Sequence, residues 1–223
     1  MILKIFAVLI IIGVVLLVGQ LLINRFSRDN EQLRKLVHVL HGSGLAALAL
    51  IAPLDIVVAI EIFVLVSMLI ARFLFSHFKN IAWIRYCGKV YNVGRVSYGE
   101  FFFPISAIIL VFIAESKWEF AAAILILGIA DAIAALIGKR FGKSNSYLVF
   151  GQNKSLAGSA AFFAATLLIV WGFATFHTGT ANEVGLGLIL LISILVTTAE
   201  NLGVYGSDNL LIPVVAVFLL NRL

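Results

Sequence analysis

Long apolar runs broken by short polar clusters dominate this chain, and the spacing of the breaks predicts about eight membrane-spanning helices. A bilayer crossing needs ~20 apolar residues. The runs fall at roughly 2–23, 37–52, 54–75, 99–114, 118–137, 156–176, 184–200 and 209–221. They are continuous rather than alternating, which argues against a transmembrane barrel. Only Pro53 separates the second run from the third, so those two form a hairpin. The second and fourth runs are short and are expected to be tilted or partly enclosed by protein. The first, within "MILKIFAVLIIIGVVLLVGQLLINRF", is too long for a secretion signal and has no small-x-small cleavage site, so it reads as a retained helix. A seven-span reading would change only the C-terminal end.

Composition sharpens this picture. Of 223 residues, 62% are hydrophobic, and the mean hydropathy is +1.12. A soluble domain has no use for so much apolar side chain. The expected fold is therefore all-α, a polytopic transmembrane bundle forming one domain over 1–223, since no linker or repeat interrupts it. The single Cys87 excludes an internal disulfide. The net charge of +5 matters through its placement. Segments 25–35, 72–95 and 139–154 hold thirteen of the sixteen Lys and Arg, and the loops between them carry only Lys117. The positive-inside rule puts those segments on the cytoplasmic side and both termini outside. No nucleic-acid partner is expected, and the oligomeric state leaves no mark on the sequence.

With that threading, the unusual polar residues gather at the cytoplasmic face. Arg34, His38 and His41 recur at i, i+4 and i+7, one face of a helix. Two potential cations so placed suit an anion between them, although Arg34 and Lys35 also serve as interfacial anchors. Asp131 lies ~10 Å inside Gly138 at 1.5 Å per residue. An acid at such depth faces a bundle interior or a cavity, or else pairs with Lys139 or Arg140 at the helix end. "GKRFGK" (138–143) lacks the spacing of a Walker loop. Together with Lys154, Ser155 and Ser159 it nonetheless offers backbone donors and point charges for phosphate. Asp131, Glu100, Glu200 and Asp208 offer oxygen ligands for Mg²⁺. Cations for phosphate plus carboxylates for metal or proton are what phosphoryl transfer needs. Asp55 reads as a helix-start residue and His77 and His177 as loop residues, while Glu61 has no assigned role.

The ordered motifs carry a resemblance. They are Arg34-Lys35-Leu36-Val37-His38, then Tyr98-Gly99 with Phe103-Pro104, then Asp131 through Gly138, Gly142 and Lys143. Lys154-Ser155 with Gly158-Ser159 comes next, and Glu200, Asp208-Asn209 and Pro213 come last. Over roughly 30–215 this resembles the polyprenol kinase family of dolichol, phytol and CTP-dependent diacylglycerol kinases, related to phosphatidate cytidylyltransferases. The resemblance implies membrane helices, CTP as phosphoryl donor, a divalent metal and a nucleotide site in the Asp131–Lys154 region. Two positions depart from the pattern. Ala130 stands where Gly is frequent, and Ala157 stands where many members carry Glu, so any role of that Glu is moved or absent here.

The resulting expectation is a CTP-dependent kinase for a membrane lipid alcohol. Asp131, Arg34 and His38 act at the reacting groups. Lys139, Arg140, Gly142, Lys143, Lys154, Ser155, Gly158, Ser159 and Asn209 hold the nucleotide. Asp131, Asp208, Glu200 and Glu100 hold Mg²⁺. The rivals are CMP transfer to a phosphorylated lipid, and an ion-coupled transporter using Asp131 and Glu61.

Overall fold

A computed structural model describes residues 30–77, 98–178 and 185–223 of the chain. The expected span at 2–23 lies outside them, as do Cys87 and the cations Arg25, Arg28, Lys79, Arg85, Lys89 and Arg95. Each of the other apolar runs is helical. In chain order the helices are α1 (Asn30–Ile51), α2 (Leu54–His77), α3 (Gly99–Ile113), α4 (Lys117–Phe141), α5 (Leu156–Phe173), α6 (Gly185–Leu202) and α7 (Asp208–Leu220). Among the described residues, Leu54–Leu74, Lys117–Phe141, Leu156–His177 and Gly185–Leu202 are long and apolar enough to cross a membrane, while α3 and α7 are shorter apolar helices.

α1 starts at Asn30, ahead of the apolar run that begins at 37. Hydropathy does not see "NEQLRKL", but most of these residues are good helix formers. Pro53 ends α1 because it cannot continue the hydrogen-bond ladder. Lys117 then donates to the Ala52 carbonyl at 2.5 Å, satisfying an acceptor just beyond that helix end. α4 opens on a capping box. Ser116 Oγ accepts from Glu119 N at 3.1 Å, and the Glu119 carboxylate accepts from Ser116 N at 3.3 Å.

α4 forms the centre of the bundle, with α1, α5 and α7 packed around it. Two glycines bring α1 onto it. A Cβ on Gly42 would stand 3.0 Å from the Gly128 Cα, so the backbones touch where these residues cross. Gly128 lies in a π-helical turn, Ile126–Ala130, set inside α4. There the Asp131 N–H reaches back five residues to the Ile126 carbonyl. Single π turns are frequent at functional sites, because the extra residue re-aims the side chains beyond it.

The all-helical expectation needs one correction. After α4 the chain forms an antiparallel hairpin, β1 (Ser146–Val149) with β2 (Gln152–Ser155). Phe150 and Gly151 make its turn with φ of 48° and 80°, the two positive values of a type I′ turn. Ser146 and Leu148 are exposed, while Tyr147 and Val149 are half-buried. Phe-Gly is a weaker turn signal than Asn-Gly, which is why this stretch reads as loop from sequence.

The close crossing makes a prediction. Gly42→Leu forces the α1 and α4 backbones apart, an overpacking expected to cost about 1–3 kcal/mol. Thermal unfolding in detergent should show a lowered midpoint, whereas Gly44→Ala, with nothing within 4 Å of its added Cβ, should leave it almost unchanged.

Candidate functional site

The site is built around Asp131, the residue directly after the π turn. Its side chain is almost fully enclosed (7% exposed), and Lys35 of α1 reaches it with Nζ at 2.5 Å from Oδ2. His38, one turn further along α1, places Nε2 at 3.4 Å from the same oxygen. That contact lacks hydrogen-bond geometry, so the buried His38 Nε2 has no hydrogen-bond partner among the described residues. Arg34 is close enough for its charge to act on both Asp131 and His38. One buried carboxylate thus meets two basic side chains from the start of α1, Lys35 and His38, with Arg34 on the same helix end.

A second ion pair stands beside the first. Lys154, at the end of the hairpin, lies 2.5 Å from Glu200 Oε1 and also donates to the Glu200 carbonyl at 2.9 Å. Asp208 lies within the fields of Asp131, Lys154 and Lys35, and Glu200 within those of Asp131 and Asp208. Residues from α1, α4, the hairpin, α6 and the start of α7 therefore share one electrostatic neighbourhood.

Polar contacts fix the frame. Ser155 caps α5 by accepting from Gly158 N at 3.1 Å. Gly138 and Gly158 let α4 and α5 approach so closely that a Cβ on Gly158 would stand 3.0 Å from the Ala134 carbonyl. The Ser159 hydroxyl, the Tyr147 hydroxyl and Asn201 Oδ1 lie mutually within hydrogen-bond reach, Ser159 Oγ at 3.0 Å from Asn201 Oδ1 and 2.7 Å from the Tyr147 oxygen, and share the two hydroxyl protons. Those bonds tie the hairpin to α5 and α6. Asn209 donates to the Gly99 carbonyl at 2.6 Å, holding the start of α7 against the start of α3.

Several expected residues meet here. Asp131, Arg34, His38, Lys154, Glu200 and Asp208 share one electrostatic neighbourhood, while Gly142 and Gly158 pack on Ser155, Ser159 bonds Asn201 and Asn209 bonds Gly99. Lys139, Arg140 and Lys143 do not join the buried core. They are exposed on and just after the last turn of α4, with Arg140 over the Phe141 ring at 5.2 Å. The partner of Asp131 is Lys35, not Lys139 or Arg140. Glu100 lies half-buried in the first turn of α3. Among the described residues no three His, Cys, Asp or Glu side chains stand close enough together to hold a metal ion. Asp131 and Glu200 are each turned onto a lysine instead.

Sequence reasoning missed Lys35, Tyr147 and Asn201 as site residues. Lys35, His38 and Gly42 recur at i, i+3 and i+7, and that stripe faces α4. Tyr147 gave no signal, since its partners Ser159 and Asn201 belong to separate helices. His41 points elsewhere, to Glu61 of α2 at 2.8 Å. Asp55 lies exposed in the first turn of α2, as expected for a helix-start residue.

Over 127 residues the chain is 34% identical to a Synechocystis protein named phytol kinase, a match covering 55% of this chain and 53% of that protein. The chain spans about half the length of the curated relative it matches. No family model matches it, and no solved structure matches it.

Removing one member of a buried ion pair strands the other. Lys35→Met is expected to destabilise the protein by about 3–5 kcal/mol, read as a lowered unfolding midpoint in detergent. Lys35→Arg keeps the charge and should lose clearly less. Equal losses for the two variants would show that the charge of Lys35 is not what Asp131 requires.

Proposed function

We propose that this chain is an integral membrane kinase that transfers the γ-phosphoryl group of CTP to a long-chain lipid alcohol of the phytol type, at the cytoplasmic face. The observation that carries this reading is the buried carboxylate of Asp131 met by Lys35 and His38, with Arg34 on the same helix end, in a chain similar to a protein named phytol kinase. The alcohol arrives from the bilayer with its tail between helices. Its oxygen forms a bond to the γ-phosphorus while the bond from that phosphorus to the β-bridging oxygen breaks. CDP leaves, and the hydroxyl proton is released.

Each residue type has a task in that step. Asp131, or His38 with its unpartnered Nε2, accepts the hydroxyl proton. Arg34 and Lys35 neutralise charge on the transferred group, and Lys154 does so from the hairpin side. The exposed Lys139, Arg140 and Lys143 steer the triphosphate from water. Gly142 and Gly158 pack on Ser155, and Ser159 and Asn209 bond to Asn201 and Gly99, so these four, with Ser155, would act by fixing the frame of the nucleotide site.

Carboxylate oxygens are the ligand type that Mg²⁺ prefers and shares with phosphates, but in this arrangement Asp131 and Glu200 are each held by a lysine and no three such side chains among the described residues are close enough to hold the ion. Asp208 has no ion pair of its own among the described residues, its Oδ1 accepting from Asn209 N at 3.1 Å, so its carboxylate would be the first available to the ion. Asp131 and Glu200 would join it as their lysines turn to phosphate, with Glu100 more distant in role. Bound Mg²⁺ would supply charge neutralisation on the phosphates. Ala157 leaves α5 without an acid in its first turn, so a bound metal would depend on carboxylates of the other helices.

The test uses purified protein in lipid nanodiscs with Mg²⁺, phytol and CTP labelled at either the γ- or the α-phosphorus. Label should enter the lipid from γ-CTP only. Label from α-CTP would mean CMP transfer, and no label from either, with phytol, polyprenol and diacylglycerol all supplied to folded protein, would falsify the proposal. Asp131→Asn should lower turnover at least ~100-fold, the scale of losing a general base. Lys143→Ala should mainly raise the KM for CTP.

A further inference from the structure

One buried acid has no part in the chemistry above. Glu61 lies on α2, a helix whose outer face is lined by exposed Ile62, Phe63, Val66 and Phe73. Its own side chain is fully enclosed (0% exposed), and Oε2 has no hydrogen-bond partner among the described residues. Its other oxygen, Oε1, binds the ring of His41 at 2.8 Å. An apolar residue would fill this place at lower cost, since a buried polar pair seldom stabilises more than a hydrophobic replacement.

His41 connects this pair to the site. Its ring stacks on Phe103 with centroids 4.6 Å apart and planes 24° from parallel. Phe103, itself buried, meets His38 edge-on at 4.7 Å and 80°. Phe103 is thus held between two imidazoles. His38 makes no hydrogen bond through Nε2, so ring packing carries much of the burden of aiming it at Asp131. At the far end of that packing His41 is held by its hydrogen bond with the Glu61 carboxylate.

We propose that Glu61 is a positioning residue for phosphoryl transfer, acting through His41 and Phe103 to hold the His38 ring against Asp131. The proposal rests on the kinase reading for its consequence in turnover, but the coupling of the rings stands apart from it. Shifting an imidazole nitrogen by about an ångström misplaces a reacting atom, and such displacements alone lower rates substantially. Glu61→Leu frees His41, loosens Phe103 and lets His38 drift. Glu61→Gln preserves size and a hydrogen bond to His41, and restores most of the alignment.

Two measurements test this. The first is independent of activity: with histidines isotopically labelled, the ring carbon and nitrogen resonances of His38 are tracked in nanodiscs. His38 is assigned by its loss in His38→Asn. Glu61→Leu and Phe103→Leu should both move that resonance, and Glu61→Gln should move it much less. An unmoved His38 resonance in Glu61→Leu overturns the proposal, whatever the protein phosphorylates. The second is a cycle on kcat with γ-labelled CTP and phytol. Glu61→Leu should lower kcat about tenfold with the KM for CTP unchanged, and should lower it no further once His38 is Asn. Equal losses in the two backgrounds would mean that Glu61 acts only on the fold. Should Glu61→Leu fail to fold, His41→Leu, which removes the same bond and leaves Phe103 in place, is used in both measurements, and an unmoved His38 resonance there overturns the proposal equally. If the unsubstituted protein phosphorylates no lipid, the kinase reading fails while the resonances still decide the coupling.

Discussion

A lysine and an aspartate in direct contact, inside a bundle of apolar helices, set the terms for everything around them. Neither charge tolerates that position alone. Lys35 and Asp131 are 96 residues apart in sequence and meet at 2.5 Å, so α1 must lie against α4 with one rotation and one depth. Glycine makes that approach possible one turn beyond His38, where Gly42 meets Gly128. The π turn at Ile126–Ala130 does the rest, since it adds a residue just before Asp131 and turns its side chain onto α1. Ion pair, glycine contact and π turn are thus one solution to one requirement.

Around this pair the chain repeats the device with different parts. Lys154 and Glu200 bridge the hairpin to α6, and Tyr147 with Ser159 and Asn201 reinforces that bridge. Asn209 and Gly99 join α7 to α3. The outcome is a cluster in which Lys35 and Lys154 are each already paired with a carboxylate. A triphosphate offers the lysines a stronger partner than the carboxylates do, and the carboxylates released in exchange are suited to a cation. Such an exchange would make the paired arrangement a resting state of the site in the kinase reading.

Much of this was legible in the sequence, and the gaps have physical reasons. The helices at 54–77, 99–113, 156–173 and 208–220 arise from apolar runs and from stops such as Pro53. Asp131 stood out because an acid inside such a run is expensive, and the convergence of residues near 34–38, 131, 154, 200 and 208 came from placing the breaks at one face. The choice between Arg34 and Lys35 was not legible. Adjacent residues on a helix differ by 100°, and a stripe drawn through Arg34, His38 and His41 is as regular as one through Lys35, His38 and Gly42. Only the position of α4 selects the second, and His41 then falls toward α2 and Glu61. The hairpin escaped because its turn is Phe-Gly and its inward face, Tyr147 and Val149, is too short to show a period. The exposed place of Lys139, Arg140 and Lys143 escaped because charge pattern tells which face a loop lies on, not how far it stands from a buried acid.

In the kinase reading the Lys35–Asp131 pair is retained for chemistry rather than for stability, and replacing both partners at once tests that most directly. Lys35→Met with Asp131→Leu removes both buried charges and leaves apolar volume in their place. The prediction is a protein whose unfolding midpoint returns close to that of the unsubstituted chain, well above the Lys35→Met variant, and which transfers no γ-label from CTP to phytol. A double variant that still phosphorylates phytol, or one as unstable as Lys35→Met alone, would contradict it.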